Sequence, residues 1–216
     1  MRLFYTVLFL GFFTFSDHAV YGVEEVYKRY PVESGIIEYT IRGDQTGHET
    51  VYFDQWGMRE ARYTQTTITK NESSSISNTV VLMDHDWITS FNPDRKTGSK
   101  VPNLWLQEIK ASGRSGDLTA TYQETLQSLG AVKSGTETFL EKDCDIWVNP
   151  SWGSTAWIWS SILLKIEYKT PALTIYIEAV SIQENATVEE EKFQIPSDVK
   201  IVEPAEAKEA LDLVNR

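Results

Sequence analysis

Three histidines, a single cysteine and many neighbouring carboxylates set the scope for chemistry in this 216-residue chain. Asp84-His85-Asp86 has the donor types of a metal site, but zinc takes three or four ligands, and no second cluster accompanies it. The tripeptide reads as a solvated hairpin turn, His48 is far from it in sequence, and no metal or other cofactor is expected. A serine nucleophile needs a base oriented by a third group. Ser73–Ser75 and Ser160-Ser161 lack a Gly-x-Ser-x-Gly setting and read as loop residues. Gly113-x-x-Gly116 is too short for a phosphate loop and lacks the Lys-Ser/Thr ending. Glu24-Glu25 and Glu189-Glu190-Glu191 sit in polar runs, as solvated surface carboxylates do. No catalytic constellation emerges, and the expectation is a protein that is not an enzyme.

The aromatic cluster Trp147, Trp152, Trp157 and Trp159 is of more interest. It could stack sugar rings or line an acyl pocket, while barrel packing is the plainer reading, because alternating strand positions turn some rings inward anyway. Cys144 stands alone, so it forms no disulfide within the chain and reads as a small buried hydrophobe. Asn71-Glu72-Ser73 and Asn185-Ala186-Thr187 match the glycosylation sequon, which matters only on a eukaryotic secretory route.

The elements that position these residues are mostly strands. Val23, Val26, Tyr27 and Tyr30 fall at helical spacing before Pro31. In Ser34–Gly43, Ile37, Tyr39 and Ile41 share one face, and a Gly43–Gly47 turn leads into alternation over Glu49–Trp56. Arg59–Thr69 predicts a third strand with Ala61, Tyr63, Gln65 and Thr67 on one face, and Asn71–Ser75 a loop. Thr79–Met83 and Trp87–Phe91 predict a further hairpin, followed by a long turn over Asn92–Gly98. The period then changes. Leu104, Trp105 and Ile109 suggest one short helix, and Leu118, Tyr122, Leu126 and Leu129 a clearer one that Gly130 stops. Strands return over Thr136–Leu140, Cys144–Val148, Ser154–Trp159, Leu163–Lys169 and Leu173–Ile182, with Pro171 dividing the last two. A final helix is expected after Pro204. The connections are too short for parallel crossovers. The fold class is therefore mainly β (α+β): a curved antiparallel sheet, or half-open β-barrel, with helices covering its concave face.

Met1-Arg2, an apolar stretch of roughly thirteen residues and a polar exit have the layout of a secretory signal peptide, with cleavage expected after Gly22. That division gives residues 1–22 as the signal peptide and 23–216 as one domain. The apolar stretch falls short of the about twenty residues a membrane span needs. About 190 residues then remain, enough for one substantial core, and seven Trp, ten Tyr and nine Phe supply it. A net charge of −11 disfavours nucleic acid, whose binders need a basic face.

Four stretches carry a family resemblance. They are Ser34-Gly35-Ile36-Ile37-Glu38-Tyr39 with Gly47-x-Glu49-x-x-Tyr52-Phe53-Asp54-x-x-Gly57; Gly135-Thr136-Glu137 leading to Cys144-Asp145-Ile146-Trp147; Trp157-Ile158-Trp159 before Leu163-Leu164-Lys165-Ile166-Glu167; and Phe193-x-Ile195-Pro196-x-x-Val199-Lys200. Together they resemble bacterial periplasmic proteins related to the LolA/LolB lipoprotein carriers, over nearly the whole chain beyond the signal peptide. The resemblance implies a half-open barrel enclosing a cavity for acyl chains, with helices as its lid. It also implies a gating arginine near the early strands. Arg59 or Arg62 lies in that region, without the proline context of the carriers.

The resulting expectation is a periplasmic carrier for lipid or lipoprotein acyl chains, its partner a lipid or an acylated protein. Its hollow would be lined by Ile37, Tyr39, Ile41, Val51, Phe53, Leu164, Ile166, Ile175 and Ile177, with Trp157 and Trp159 nearby. A one-residue slip in register would exchange the lining and the outer face. The rival expectation is an envelope interaction or sensor domain with a filled interior, docking a protein partner.

Overall fold

The computed structural model describes residues 26–70 and 73–203. The expected signal peptide and the helix expected after Pro204 lie outside them. Twelve strands form one sheet: β2 (Gly35–Gly43), β3 (Gln45–Asp54), β4 (Arg59–Lys70), β5 (Ser73–Met83), β6 (Trp87–Asn92), β7 (Thr97–Pro102), β9 (Val132–Phe139), β10 (Lys142–Asn149), β11 (Ser154–Trp159), β12 (Ile162–Thr170), β13 (Leu173–Glu184) and β14 (Lys200–Val202). Two short strands, β1 (Tyr27–Lys28) and β8 (Gly116–Asp117), pair in parallel. Helices α1 (Leu104–Ala111) and α2 (Thr119–Ser128) interrupt the strand order. The sheet runs β14-β7-β6-β5-β4-β3-β2-β13-β12-β11-β10-β9, curved but not closed into a barrel. All its pairings are antiparallel except β14 on β7. At one end β9 carries no further strand, and nearly every residue along it is exposed.

Alternation explains the sheet's two faces. Val51 pairs with both Ile37 and Arg62, and Phe53 with both Gly35 and Glu60, so these residues share one face. The helices cover this inner face, α1 burying Leu106 and Ile109 against Met58 and Leu118. Beneath α2, Tyr122 and Leu126 pack on Trp147, Ile158 and Leu163. The outer face of β3–β6 bears Ala61, Tyr52, Tyr63, Val80, Leu82 and Phe91, covered by Phe193, Val199 and Ile201 of the closing segment.

Several local expectations are corrected. Val26–Tyr30 is not helical, because Tyr27 and Lys28 pair with Gly116 and Asp117, and the Tyr30 amide donates to the Trp56 carbonyl at 2.9 Å. The Gly43–Gly47 turn tightens to Gly43-Asp44, since β3 begins at Gln45. Gly47 is not a turn residue but lies in strand, opposite Ile41 and Thr66. A Cβ there would stand 2.0 Å from the Gln65 carbonyl oxygen. Gly47→Ala is expected to cost about 1–3 kcal/mol by forcing β3 and β4 apart, as overpacking does. Urea denaturation checks this, and an unchanged midpoint would contradict the close approach. The expected loop at Asn71–Ser75 becomes strand from Ser73, because Ser73–Ser77 ladder against Thr66–Lys70. The turn after Phe91 is shorter than expected and yields β7.

Candidate functional site

The inner face of β4 carries a buried charge network. The Glu60 side chain is 6% exposed and pairs with Arg29 and with Arg62, whose Nε donates to its Oε1 at 2.6 Å. Tyr30 donates its hydroxyl to the same carboxylate. Arg62 Nη1 donates to Glu49 Oε1 at 2.9 Å, and Thr64 donates to Glu49 Oε2 at 2.7 Å. Arg29 Nη1 also approaches the Met83 sulfur at 3.1 Å. Strand geometry makes this network: Glu49, Arg62 and Glu60 occupy alternate inner positions of the paired β3 and β4. Burial pushes the Glu60 carboxyl up, but Arg29 and Arg62 outweigh it and hold the group at about 2. Burial likewise pulls the two guanidiniums down, and Glu60 together with Tyr30, and for Arg62 also Glu49, more than restores them. Two arginines and the glutamate between them thus remain charged, Glu60 and Arg29 nearly buried and Arg62 reaching the cleft.

Over this network opens a cleft of about 440 Å³, lined by Arg29, Tyr30, Glu60, Arg62, Met83, Ile88, Asn103, Trp105, Tyr122, Thr125, Ser161 and Leu163. Its walls are mainly apolar and aromatic. Tyr122 and Leu163 also line a second hollow of about 200 Å³ beneath α2, which adds Leu126, Trp147, Ala156, Ile158, Ile166 and Tyr168. At this hollow Leu129 and Trp152 remain about half exposed, at 47% and 51%. A further depression of about 310 Å³ lies between α1 and α2, but Glu108, Ser112, Arg114, Thr121 and Glu124 make it polar. Among the described residues no group of three His, Cys, Asp or Glu stands close enough to hold a metal ion.

The residues expected to line the hollow take different places. Ile37, Tyr39, Val51, Phe53, Trp157 and Leu164 are consumed in one packed cluster with Tyr30, Cys144, Ile162 and Ala179. Ile41 is buried as well, and Ile175 and Ile177 are half-buried; none of the three lines either hollow. Trp159 is half-buried beneath the Lys142 ammonium, 4.4 Å from its ring centroid. Ile166 lines the smaller hollow. Bulges cause the redistribution. Trp157 and Ile158 are consecutive in β11 and face opposite ways, Trp157 into the cluster with Ile37 and Ile158 beneath α2, and between them the register against β12 shifts. The same shift leaves Leu164 in the core and presents Leu163, its neighbour, to both hollows. The pairing of Trp157 with Lys165 and of Ile158 with Leu163 marks the extra residue.

Parity separates the two candidate arginines. Arg62 lines the cleft. Arg59 clamps the closing segment on the outer face, pairing with Asp54 and Glu190 and lying 4.1 Å over the Phe193 ring. The sequence reading missed Arg29, Glu60, Ser161 and Leu163. Tyr122 and Trp105 carried a signal through the apolar stripes of the helices, and Trp147 and Trp152, which line the hollow beneath α2, through the aromatic cluster.

No protein-family model and no curated protein matches the chain significantly. Among solved structures it is similar to an uncharacterized conserved protein from Thermus thermophilus, with 10% identity and a TM-score of 0.49 over 78% of this chain and 90% of the other. It is similar to PNGF-II, with 11% identity and a TM-score of 0.47 over 85% of this chain, and spans 33% of that protein's length. A putative outer membrane lipoprotein-sorting protein domain from Vibrio parahaemolyticus is a further neighbour, with 8% identity and a TM-score of 0.33 over 77% of this chain and 92% of the other.

Proposed function

We propose that this protein is a non-catalytic carrier of lipid or lipoprotein acyl chains that works in the cell envelope, in the periplasm. The observation that carries the reading is the apolar cleft under the helices, sharing Tyr122 and Leu163 with the hollow beneath α2. Water in such a space is readily displaced by hydrocarbon, and each methylene buried contributes about 0.8 kcal/mol. Affinity should therefore rise about fourfold per added methylene until the space is full. Displacement of a fluorescent fatty acid by a chain-length series measures this, with native mass spectrometry to identify retained ligand. Leu163→Trp, which fills the wall common to both hollows, is expected to weaken binding at least about tenfold while leaving the fold intact. Bare protein in the mass spectrum, together with no displacement at any chain length, would overturn the proposal.

A second reading rests on β9. Its outer edge has no neighbouring strand among the described residues, and such an edge offers main-chain donors and acceptors to an extended partner segment. On that reading the protein docks an envelope protein, and a pull-down lost when Thr136→Pro blocks the edge distinguishes it.

A further inference from the structure

The cleft's walls are apolar, yet its floor retains donors that the protein leaves unused. Arg62 spends Nε on Glu60 and Nη1 on Glu49, and its Nη2 has no partner among the described residues. The Arg62 side chain is 30% exposed, in contrast to its partner Glu60 at 6%. The Tyr122 hydroxyl likewise makes no hydrogen bond to the described residues, although its ring lines both hollows. Ser161 also lines the cleft; it is 4% exposed, and its Oγ has no partner. Of these only the Ser161 Oγ is fully buried and unpaired, which is costly; with the spare donors of Arg62 and Tyr122 on the same cleft wall it calls for a polar occupant. All three groups can donate, and a guanidinium can do nothing else, so the atom they fit is an acceptor.

We infer that the cleft seats the oxygen-bearing head of an acyl ligand, a carboxylate or ester carbonyl, on Arg62 and Tyr122, with its tail passing Leu163 into the hollow beneath α2. This rests on the carrier reading and deepens it by giving the ligand a polarity and a direction. Tyr122 stands at the junction of the two spaces, where head and tail would meet. Glu60 and Glu49 act as positioning residues, holding the Arg62 guanidinium by its Nε and Nη1.

Three competitors test it against a bound fluorescent fatty acid: palmitic acid, methyl palmitate and hexadecane. Palmitic acid is expected to compete at least about tenfold better than hexadecane, consistent with a charge-assisted hydrogen bond. Competition by methyl palmitate as well would identify an acyl ester as the source of the oxygen, and competition by the acid alone a free carboxylate; either supports the inference. Tyr122→Phe keeps the ring and the fold, and should weaken palmitic acid about two- to tenfold while leaving hexadecane unchanged. Arg62→Gln should do the same more strongly, with circular dichroism confirming the fold. Equal competition by acid and hexadecane, or a Tyr122→Phe protein indistinguishable from wild type, would overturn the head-group site and leave the carrier reading standing. Failure of all three competitors would remove both.

Discussion

Glu60→Gln is expected to destabilise the protein by about 3–5 kcal/mol, the cost of leaving a buried arginine without its counter-charge. Arg29, with a side chain 12% exposed, loses its ion pair, and Arg62 keeps only Glu49. For a chain of this length the loss corresponds to a fall in Tm of about 10 °C. The effect also depends on pH. The Glu60 carboxyl has its pKa lowered from 4.5 to about 2 in the folded protein, so its stabilising contribution is complete above about 4.5 and disappears as pH falls toward 2. The stability gap between wild type and Glu60→Gln should therefore narrow steadily across that window, since a protonated Glu60 resembles the amide. Urea denaturation at several pH values measures the gap, and one that stays constant down to pH about 2 would contradict the assigned charge pairing. The double variant Arg29→Met with Glu60→Leu should recover much of the loss, because replacing the buried ion pair by apolar groups removes the desolvation penalty with the attraction.

Phe53→Ala should cost a similar amount, about 3–5 kcal/mol, by opening a cavity at the centre of the largest core cluster. Phe53 is fully buried and meets the Tyr30 ring edge-on at 4.9 Å. The Phe53 ring lies against Gly35, where a Cβ would stand 2.6 Å from its Cζ, and that glycine has no side chain with which to fill the space. Trp152→Ala, at a residue 51% exposed, is expected to stay within about 0.5 kcal/mol. The comparison separates packed core from ligand space. If Phe53 lined an empty hollow, its truncation would be mild and would enlarge the binding site. A measured loss below about 1 kcal/mol would return Phe53 to the set of cavity residues.

These two residues illustrate what could be read from the sequence. Strand alternation grouped Ile37, Tyr39 and Ile41 on one face of their strand and Ala61, Tyr63, Gln65 and Thr67 on one face of theirs, and the structure keeps both groupings, on opposite sides of the sheet. The stripe Leu118, Tyr122, Leu126 ending at Gly130 gave α2, where Gly130 adopts φ +85°. The open curved sheet followed from those elements. Periodicity did not reveal which inward residues meet one another and which meet empty space. That depends on bulges at Ile146/Trp147, Trp157/Ile158 and Ala179/Ser181, each of which exchanges the faces for part of a strand. Glu60 was missed for a related reason. A carboxylate inside a strand reads as solvent-facing unless its partners are known, and Arg29 comes from a segment whose spacing suggested a helix.

The place of β13 has a kinetic consequence. Strands β2 to β7 follow one another as local hairpins, but β2 finds its other neighbour in β13, with Ile41 opposite Ile177. Such a distant pairing must close a long loop before it gains any contacts, which places folding in the slow, millisecond-to-second range. Both sides of that seam would be bare edges until most of the chain had emerged. A nascent molecule is thus most exposed to self-association while the early meander waits for its late-arriving strand.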